Sequence, residues 1–361
     1  MNALQSQLQE EIRRRGPMSF ARFMELALYA PGLGYYERRR EIGRGGDFFT
    51  SVSVGPLFGE LLAFQFAQWM DADCPAGVVR YVEAGPHDGA LAADILAWTR
   101  RRRPDLFARL EYWLLDASPA RRAWQEEMLR AVLPKVRWAP GIESPGLCHV
   151  NGVIFANEFL DALPVHPLRW SAARRQWEEG CVALEGDAFA WEWRRPAAAL
   201  TEHRPPVPVE LAGVLPDGFM VEICPAAAAW WRMAASRLSR GKLVTMDYGL
   251  ADGAWFAPER AQGTLRAFSR HHAGADVLSR PGEQDLTAHV NFSALMEAGC
   301  AAGLRTEGLA RQGKFLTEIL GRTRLAEDVL DPWDERKTRQ FQTLAHPEHL
   351  GHKFQVLAQS R

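Results

Sequence analysis

Three polar side chains follow one apolar segment and have the chemistry of acids, bases and hydrogen-bond donors. Asn157, Glu158 and Asp161 come soon after residues 152–156, an apolar run that predicts a buried strand. Open α/β sheets bind ligands at the carboxyl ends of their strands, where a carboxylate can orient or deprotonate a nucleophile. We therefore predict that Glu158, Asp161 and Asn157 are catalytic, with Asn157 also contacting a cofactor. The alternative is that Asn157 and Asp161 only cap the following turn.

A glycine-containing loop follows a second apolar segment. Residues 79–83 predict a strand and residues 90–102 predict a helix. A loop of this kind lets backbone N–H groups and a helix N-terminus approach a ligand. It lacks the G-x-G-x-x-G spacing that a dinucleotide requires, so S-adenosylmethionine is favoured over NAD or FAD. The loop residues predicted to bind this cofactor are Gly85, Pro86, His87 and Gly89.

An acidic residue ends the next predicted strand, which covers residues 110–115. Asp116 is placed there to accept hydrogen bonds from the ribose hydroxyls of the cofactor. Ile142 follows the third strand and is expected to lie against adenine, although a buried core position explains it equally well. Thr50 and Ser51 could close over the cofactor from a glycine-rich connection, with a surface turn as the alternative. The further cofactor contacts predicted are therefore Asp116, Ser118, Ile142, Thr50 and Ser51.

Strands and helices must alternate to position these residues, and between residues 78 and 156 the apolar pattern does alternate. This pattern predicts a mostly parallel sheet covered on both faces by helices. Two helices and the glycine-rich connection precede it, and short antiparallel strands interrupt it. We predict an N-terminal helical segment over 1–75, an α/β core over 76–166 and 217–361, and an inserted β-rich substrate subdomain over 167–216.

Composition limits the classes of partner. The chain has 361 residues and a formal net charge of −1, so no overall field favours nucleic acid or an anionic membrane. Its five cysteines are scattered without a CxxC pair, which predicts reduced thiols, a cytoplasmic location and no metal site. We expect neither a secretion signal nor a membrane span. A homodimer is left open.

Several separated stretches carry a resemblance to a known family, in that family's order and over almost the whole chain. They are Gly34-Tyr35-Tyr36, Gly46-Asp47-Phe48-Phe49-Thr50-Ser51, Glu83-x-Gly85-Pro86, Leu115-Asp116-x-Ser118-Pro119, Asn157-Glu158-Phe159-Leu160-Asp161-Ala162-Leu163-Pro164, Asp247-Tyr248-Gly249 and Pro281-Gly282-Glu283-Gln284-Asp285-Leu286-Thr287. The chain resembles the MidA-type methyltransferases and looks like a divergent member. That family includes a mitochondrial complex I assembly methyltransferase that modifies arginine.

The resemblance implies a class I methyltransferase fold, with a Rossmann-like seven-stranded sheet, and S-adenosylmethionine as the cofactor. It implies methyl transfer to a protein side chain such as arginine, or to a small molecule. Two positions depart from the family, because His87 and Asp88 stand where it usually has Gly and Arg. These departures and others near Thr50 favour a small-molecule acceptor. They also motivate an alternative, a non-catalytic assembly or scaffold protein that retains the methyltransferase fold.

Overall fold

The computed structural model describes residues 2–38, 50–203, 207–208, 210–211, 213–269, 272–273 and 276–361. Residues 43–49 of the glycine-rich connection lie outside this described part. In chain order the strands are β1 (Met18–Ser19), β2 (Val79–Ala84), β3 (Leu110–Leu115), β4 (Val136–Ala139), β5 (Val150–Asn157), β6 (His166–Ser171), β7 (Gln176–Glu185), β8 (Ala188–Arg194), β9 (Met220–Ile223), β10 (Leu238–Leu250), β11 (Arg266–Ser269), β12 (His272–Ala273), β13 (Asp285–Thr287), β14 (Val290–Asn291), β15 (Arg305–Arg311) and β16 (Phe354–Ser360).

The helices cover both faces of the central sheet. In chain order they are α1 (Ala3–Arg15), α2 (Phe20–Tyr29), α3 (Leu57–Asp73), α4 (Ala90–Arg102), α5 (Pro104–Arg109), α6 (Pro119–Met128), α7 (Pro225–Arg237), α8 (Phe292–Ala301), α9 (Gln312–Thr323) and α10 (Glu335–Ala345). Side chains from α3, α4 and α9 pack on one face of the sheet, and those from α7 and α8 pack on the other. No described helix has both the length and the apolar character needed to cross a bilayer.

The central sheet has the strand order β15-β16-β10-β5-β2-β3-β4. Strands β4, β3, β2, β5 and β10 are parallel, whereas β16 runs antiparallel to both of its neighbours. The predicted class I methyltransferase fold, with one antiparallel strand among seven, is confirmed. Residues 152–156 of β5 are all buried, which explains why this stretch is a continuous apolar run rather than an alternating one.

A second, antiparallel sheet contains β8, β7, β6 and β9 and also takes in β1 from near the N-terminus. Met18 pairs with Val182 in this sheet. The segment predicted as an insertion therefore forms antiparallel strands, and the sheet also uses residues on either side of that segment. Ser19 accepts a hydrogen bond from the Arg22 N–H and caps α2.

A small ribbon of β12, β11 and β13 lies between α7 and α8 in the sequence. Within it, Arg266 is paired with Thr287 and Phe268 with Asp285. These four residues line the cavity described below, whereas the alternate residues Ala267 and Leu286 are buried in the core. The period of two in a strand explains this division.

Candidate active site

A cavity of about 1290 Å³ lies at the carboxyl ends of the parallel strands. It extends along the sheet from residues that follow β4 to Tyr248 at the end of β10, and the β11–β13 ribbon contributes to its wall. This is the edge at which open α/β sheets bind ligands. The volume exceeds that of a typical pocket for one small molecule, so it has room for two reactants.

Three residues of the loop after β2 have an unusual backbone conformation. Gly85, His87 and Gly89 all have positive φ angles, of 66°, 45° and 88°. A Cβ on Gly85 would come within 2.7 Å of the Phe159 ring, so only glycine fits there. The side chain of His87 makes the left-handed backbone conformation sterically unfavourable. Gln125 donates a 2.8 Å hydrogen bond to the His87 carbonyl.

Asp116 lines the cavity directly after β3, as predicted, and its side chain is only 2% exposed. Its carboxylate accepts hydrogen bonds from the Ser118 N–H at 2.9 Å and from Gln125 Nε2 at 2.9 Å. Arg121 donates two more, from Nε at 2.8 Å and from Nη2 at 2.7 Å. The carboxylate is therefore held in one orientation toward the cavity edge.

Glu158 has a strained backbone and a perturbed carboxyl group. Its φ angle is 49°, a region that non-glycine residues occupy mainly where the surrounding structure enforces it. Its Oε1 accepts hydrogen bonds from the Ser51 N–H at 2.9 Å and from Asn157 Nδ2 at 3.3 Å. Burial raises the pKa of Glu158 to about 8, and the charge of Asp247 acts in the same direction.

Asp161 lies on the next turn and joins Glu158 on the cavity wall. Burial raises the pKa of Asp161 well above its usual value, and the carboxylates of Asp247, Asp285 and Glu158 raise it further. Asp247 lies behind this turn and accepts hydrogen bonds from the backbone N–H groups of Phe159 and Leu160 at 3.2 and 2.9 Å. Burial nevertheless raises its pKa to about 7. These four residues form an acidic cluster, of which Glu158, Asp161 and Asp285 line the cavity.

Two tyrosines from the N-terminal segment line the same cavity, and one of them contacts the acidic cluster. The Tyr36 hydroxyl donates to Asp285 Oδ1 at 2.7 Å, and the Tyr29 hydroxyl donates to the Ala162 carbonyl at 3.0 Å. Their rings stack with centroids 5.5 Å apart. This side of the cavity thus combines the carboxylates of the acidic cluster with the faces of two aromatic rings. That combination binds organic cations.

The structure places most of the predicted site residues on this one cavity. Those that line it are Gly85, Pro86, His87, Asp116, Ile142, Asn157, Glu158, Asp161 and Thr50. Three others lie behind the wall. Ser51 is fully buried and bonded to Glu158 and Gln312, Ser118 caps α6, and Gly89 precedes α4. These three residues are not among those that line the cavity, and their cofactor contacts stay a prediction.

Sequence reasoning assigned no role to several residues that line the cavity. Asp285 and Tyr36 stand in the family-like stretches, which was the available signal, but Tyr29 and Arg121 carried none. Trp230 and His289 also line the cavity. Asp247 was also within a family-like stretch, and it holds the turn that carries Glu158 and Asp161.

S-adenosylmethionine fits the residues present. Gly85 lines the cavity after β2, and Asp116 offers a carboxylate for ribose hydroxyls. The buried Oδ1 atom of Asn157 accepts no hydrogen bond from the described part of the chain, so it is available to an ammonium group such as that of the methionine portion. Ile142 and Gly141 follow β4 and line the cavity where adenine is expected.

Comparison with known proteins agrees with this site. A family model described as S-adenosyl-L-methionine-dependent methyltransferase matches residues 61–310. Protein arginine methyltransferase NDUFAF7, mitochondrial, from Mus musculus is 30% identical over 385 residues, which cover 97% of this chain and 83% of that protein. The Danio rerio protein of the same name is 29% identical over 381 residues, covering 97% and 85%. A crystal structure of a Burkholderia thailandensis protein bound to S-adenosyl-homocysteine has a TM-score of 0.85 and 36% identity, covering 99% and 92%.

Proposed function

Because this chain belongs to the S-adenosylmethionine-dependent methyltransferase family, we propose that its acceptor is the guanidinium group of an arginine side chain in a protein. The family and the cofactor are shown by the comparisons, so the non-catalytic alternative is not retained. The observation that supports an arginine acceptor is the acidic cluster of Glu158, Asp161, Asp247 and Asp285. Relatives named as protein arginine methyltransferases support the same choice.

The electrostatics of the cluster favour a cationic acceptor. Within the described part of the chain, no basic side chain forms an ion pair with Glu158, Asp161 or Asp247. Carboxylates that share a buried site raise one another's pKa values because two negative charges cannot be stabilised together. A bound cation reverses this effect and lowers those pKa values. An arginine guanidinium presents several N–H donors in a plane and matches a pair of carboxylates.

Bound S-adenosylmethionine supplies an electrophilic methyl group on a sulfonium. The residues of this chain then have three tasks. Glu158 and Asp161 accept hydrogen bonds from the guanidinium and keep it in one orientation. Glu158 takes the proton that the attacking nitrogen must lose, because the bound cation lowers the raised pKa of this carboxyl and so favours its ionised form. Tyr29 and Tyr36 offer ring faces to the planar cation and exclude water from it.

The test is to identify which chemical group is methylated. The purified protein and its Glu158→Gln variant are incubated with S-adenosylmethionine labelled in the methyl group and with a lysate of source cells that lack the protein. Proteins are then separated from small molecules, hydrolysed and analysed for methylated amino acids. We expect label in methylated arginine with the natural protein and very little with the variant. Label confined to small molecules or to another amino acid would contradict an arginine acceptor.

The location of the protein and its partners other than the methyl acceptor remain proposals or predictions. We propose a cytoplasmic location, which the five free cysteine thiols support, although the named relatives are mitochondrial. The absence of nucleic-acid and membrane partners, and a homodimer, likewise stay predictions from the sequence.

A further inference from the structure

Arg121 bridges two parts of the site that sequence reasoning treated separately. On one side its guanidinium donates to both oxygens of Asp116, at 2.7 and 2.8 Å. On the other side its Nη1 atom donates to Glu37 Oε1 at 3.1 Å and to the Tyr36 carbonyl at 3.3 Å. The Arg121 side chain is 14% exposed and that of Glu37 is 10% exposed, so both bridges are largely shielded from water.

The segment that Arg121 reaches contains Tyr36, which lines the cavity beside the acidic cluster. We call the wall formed by Tyr29, Tyr36 and Asp285 the acceptor wall. Tyr36 donates its hydroxyl to Asp285 in the acidic cluster. Its ring stacks on Tyr29, which in turn is bonded to the carbonyl of Ala162. A continuous series of contacts therefore runs from Asp116, through Arg121 and Tyr36, to Asp285.

The carboxylate of Asp116 has no spare acceptor position. A carboxylate has about four lone-pair sites, and four N–H groups occupy those of Asp116: the Ser118 backbone, Gln125 Nε2, Arg121 Nε and Arg121 Nη2. A ribose hydroxyl that donates to Asp116 must displace or share one of them. Ser118 contributes a backbone group, and Gln125 is also bonded to the carbonyl of His87 and to Trp138 Nε1. Arg121 is the donor that has another carboxylate, Glu37, within reach.

We propose that Arg121 is a positioning residue that shifts its hydrogen bonds from Asp116 toward Glu37 when the cofactor binds. This shift strengthens the hold of Arg121 on the Tyr36–Glu37 segment, and with it supports the Tyr36–Asp285 contact, so that the acceptor wall is held more firmly when the cofactor is bound. The inference rests on Asp116 facing the ribose, but it does not depend on arginine being the acceptor. By linkage, whatever stabilises this segment also tightens cofactor binding by the same factor.

Hydrogen exchange with S-adenosyl-homocysteine as the probe tests the proposal without any acceptor. The Glu37 N–H donates to the Gly34 carbonyl at 3.1 Å and reports on the segment. We expect saturating S-adenosyl-homocysteine to slow exchange of this amide in the natural protein by about fivefold or more, the lower range of site-to-site coupling. Glu37→Gln leaves the Arg121–Asp116 contacts in place but removes the coupling, so it should lose the slowing and, by linkage, bind the probe about fivefold or more weakly.

Arg122→Gln is the matched control, since Arg122 lies on the same helix and its ion pair is with Glu126 at 3.0 Å. It should keep both the affinity and the slowing. The proposal is overturned if the natural protein shows no slowing at Glu37, or if Glu37→Gln still shows it. Arg121→Lys gives a second measurement, because a lysine keeps the charge but lacks the planar fork that donates to both oxygens of Asp116 and to Glu37 at once. It should retain binding, weakened by roughly 10-fold or more, and also lose the slowing.

Discussion

Replacing Glu158 by Gln separates the chemistry of this carboxyl group from its structural contacts. The Oε1 atom of Glu158 accepts hydrogen bonds from the Ser51 N–H and from Asn157. The carbonyl oxygen of Gln can accept both, so the Thr50–Ser51 segment should stay in place. The negative charge and the ability to take up a proton are lost. Since loss of an acid–base group lowers turnover by roughly 10²–10⁴-fold, we expect kcat to fall within that range.

The assay measures methyl transfer to the natural acceptor and, separately, S-adenosyl-homocysteine affinity by calorimetry. Affinity should change by less than a few-fold, because the cofactor contacts lie on Asp116 and on the loop after β2. Glu348→Gln is the matched control, since it removes the same charge from the wall of the same cavity without touching the acidic cluster. Turnover of Glu158→Gln within a few-fold of the control would show that Glu158 only supports the wall, and Asp161 would become the candidate base.

Two more substitutions test other parts of the site, and the pH dependence of stability tests Glu158 a second time. Asp116→Ala should weaken S-adenosylmethionine binding by roughly 1.5–3 kcal/mol, the range for a hydrogen bond to a charged group; calorimetry that shows an unchanged Kd would place the ribose elsewhere. His87 has a left-handed φ of 45°, a conformation that costs a non-glycine residue about 1–2 kcal/mol. His87→Gly should therefore raise the free energy of unfolding in urea by up to about 1 kcal/mol, after the entropy of glycine is counted. A lower free energy of unfolding would mean that the contacts of the His87 ring outweigh the strain. Glu158 has a folded pKa of about 8, above its usual 4.5, so the folded state binds more protons and its stability falls as pH rises from 4.5 to 8. Glu158→Gln should therefore raise the free energy of unfolding at pH 9 by about 1–3 kcal/mol and change it little at pH 4. An equal effect at both pH values would assign the gain to packing instead.

Local sequence signals predicted the elements that they control directly. The helix over residues 90–102 has the predicted bounds because the glycine loop ends where it begins. Asp116, Asn157 and Glu158 were found because a strand and its next residue are adjacent in the chain. The helix that begins at Pro225 ends at Arg237, because Leu238 already pairs with Val150 in the sheet. Strand pairing of this kind depends on a distant segment that a local pattern does not contain.

The acceptor side of the site was harder to predict for the same reason. Tyr29 reaches the cavity because α2 packs beside the turn at Ala162, which is 133 positions away. Asp285 reaches it through pairing of β13 with β11 and through Tyr36. Arg121 and Gln125 looked like ordinary polar positions of a helix, and only their contacts with Asp116 reveal a role. The altered loop suggested a small acceptor, whereas the assembled carboxylates favour a guanidinium.

The pairing of β1 with β7 bears on the order in which the protein can be made. Met18 needs Val182 as its partner, Asn2 donates a hydrogen bond to the carbonyl of Pro281, and Tyr248 lies beside β16 near the end of the chain. At a synthesis rate of about 5–20 residues per second, the N-terminal segment waits roughly 14–56 s for the synthesis of Pro281. During that time its apolar face lacks these partners. A nascent chain therefore has no working cavity until the segment that contains β16 has been synthesised, and a chaperone that covers residues 18–36 would have its greatest effect during that interval.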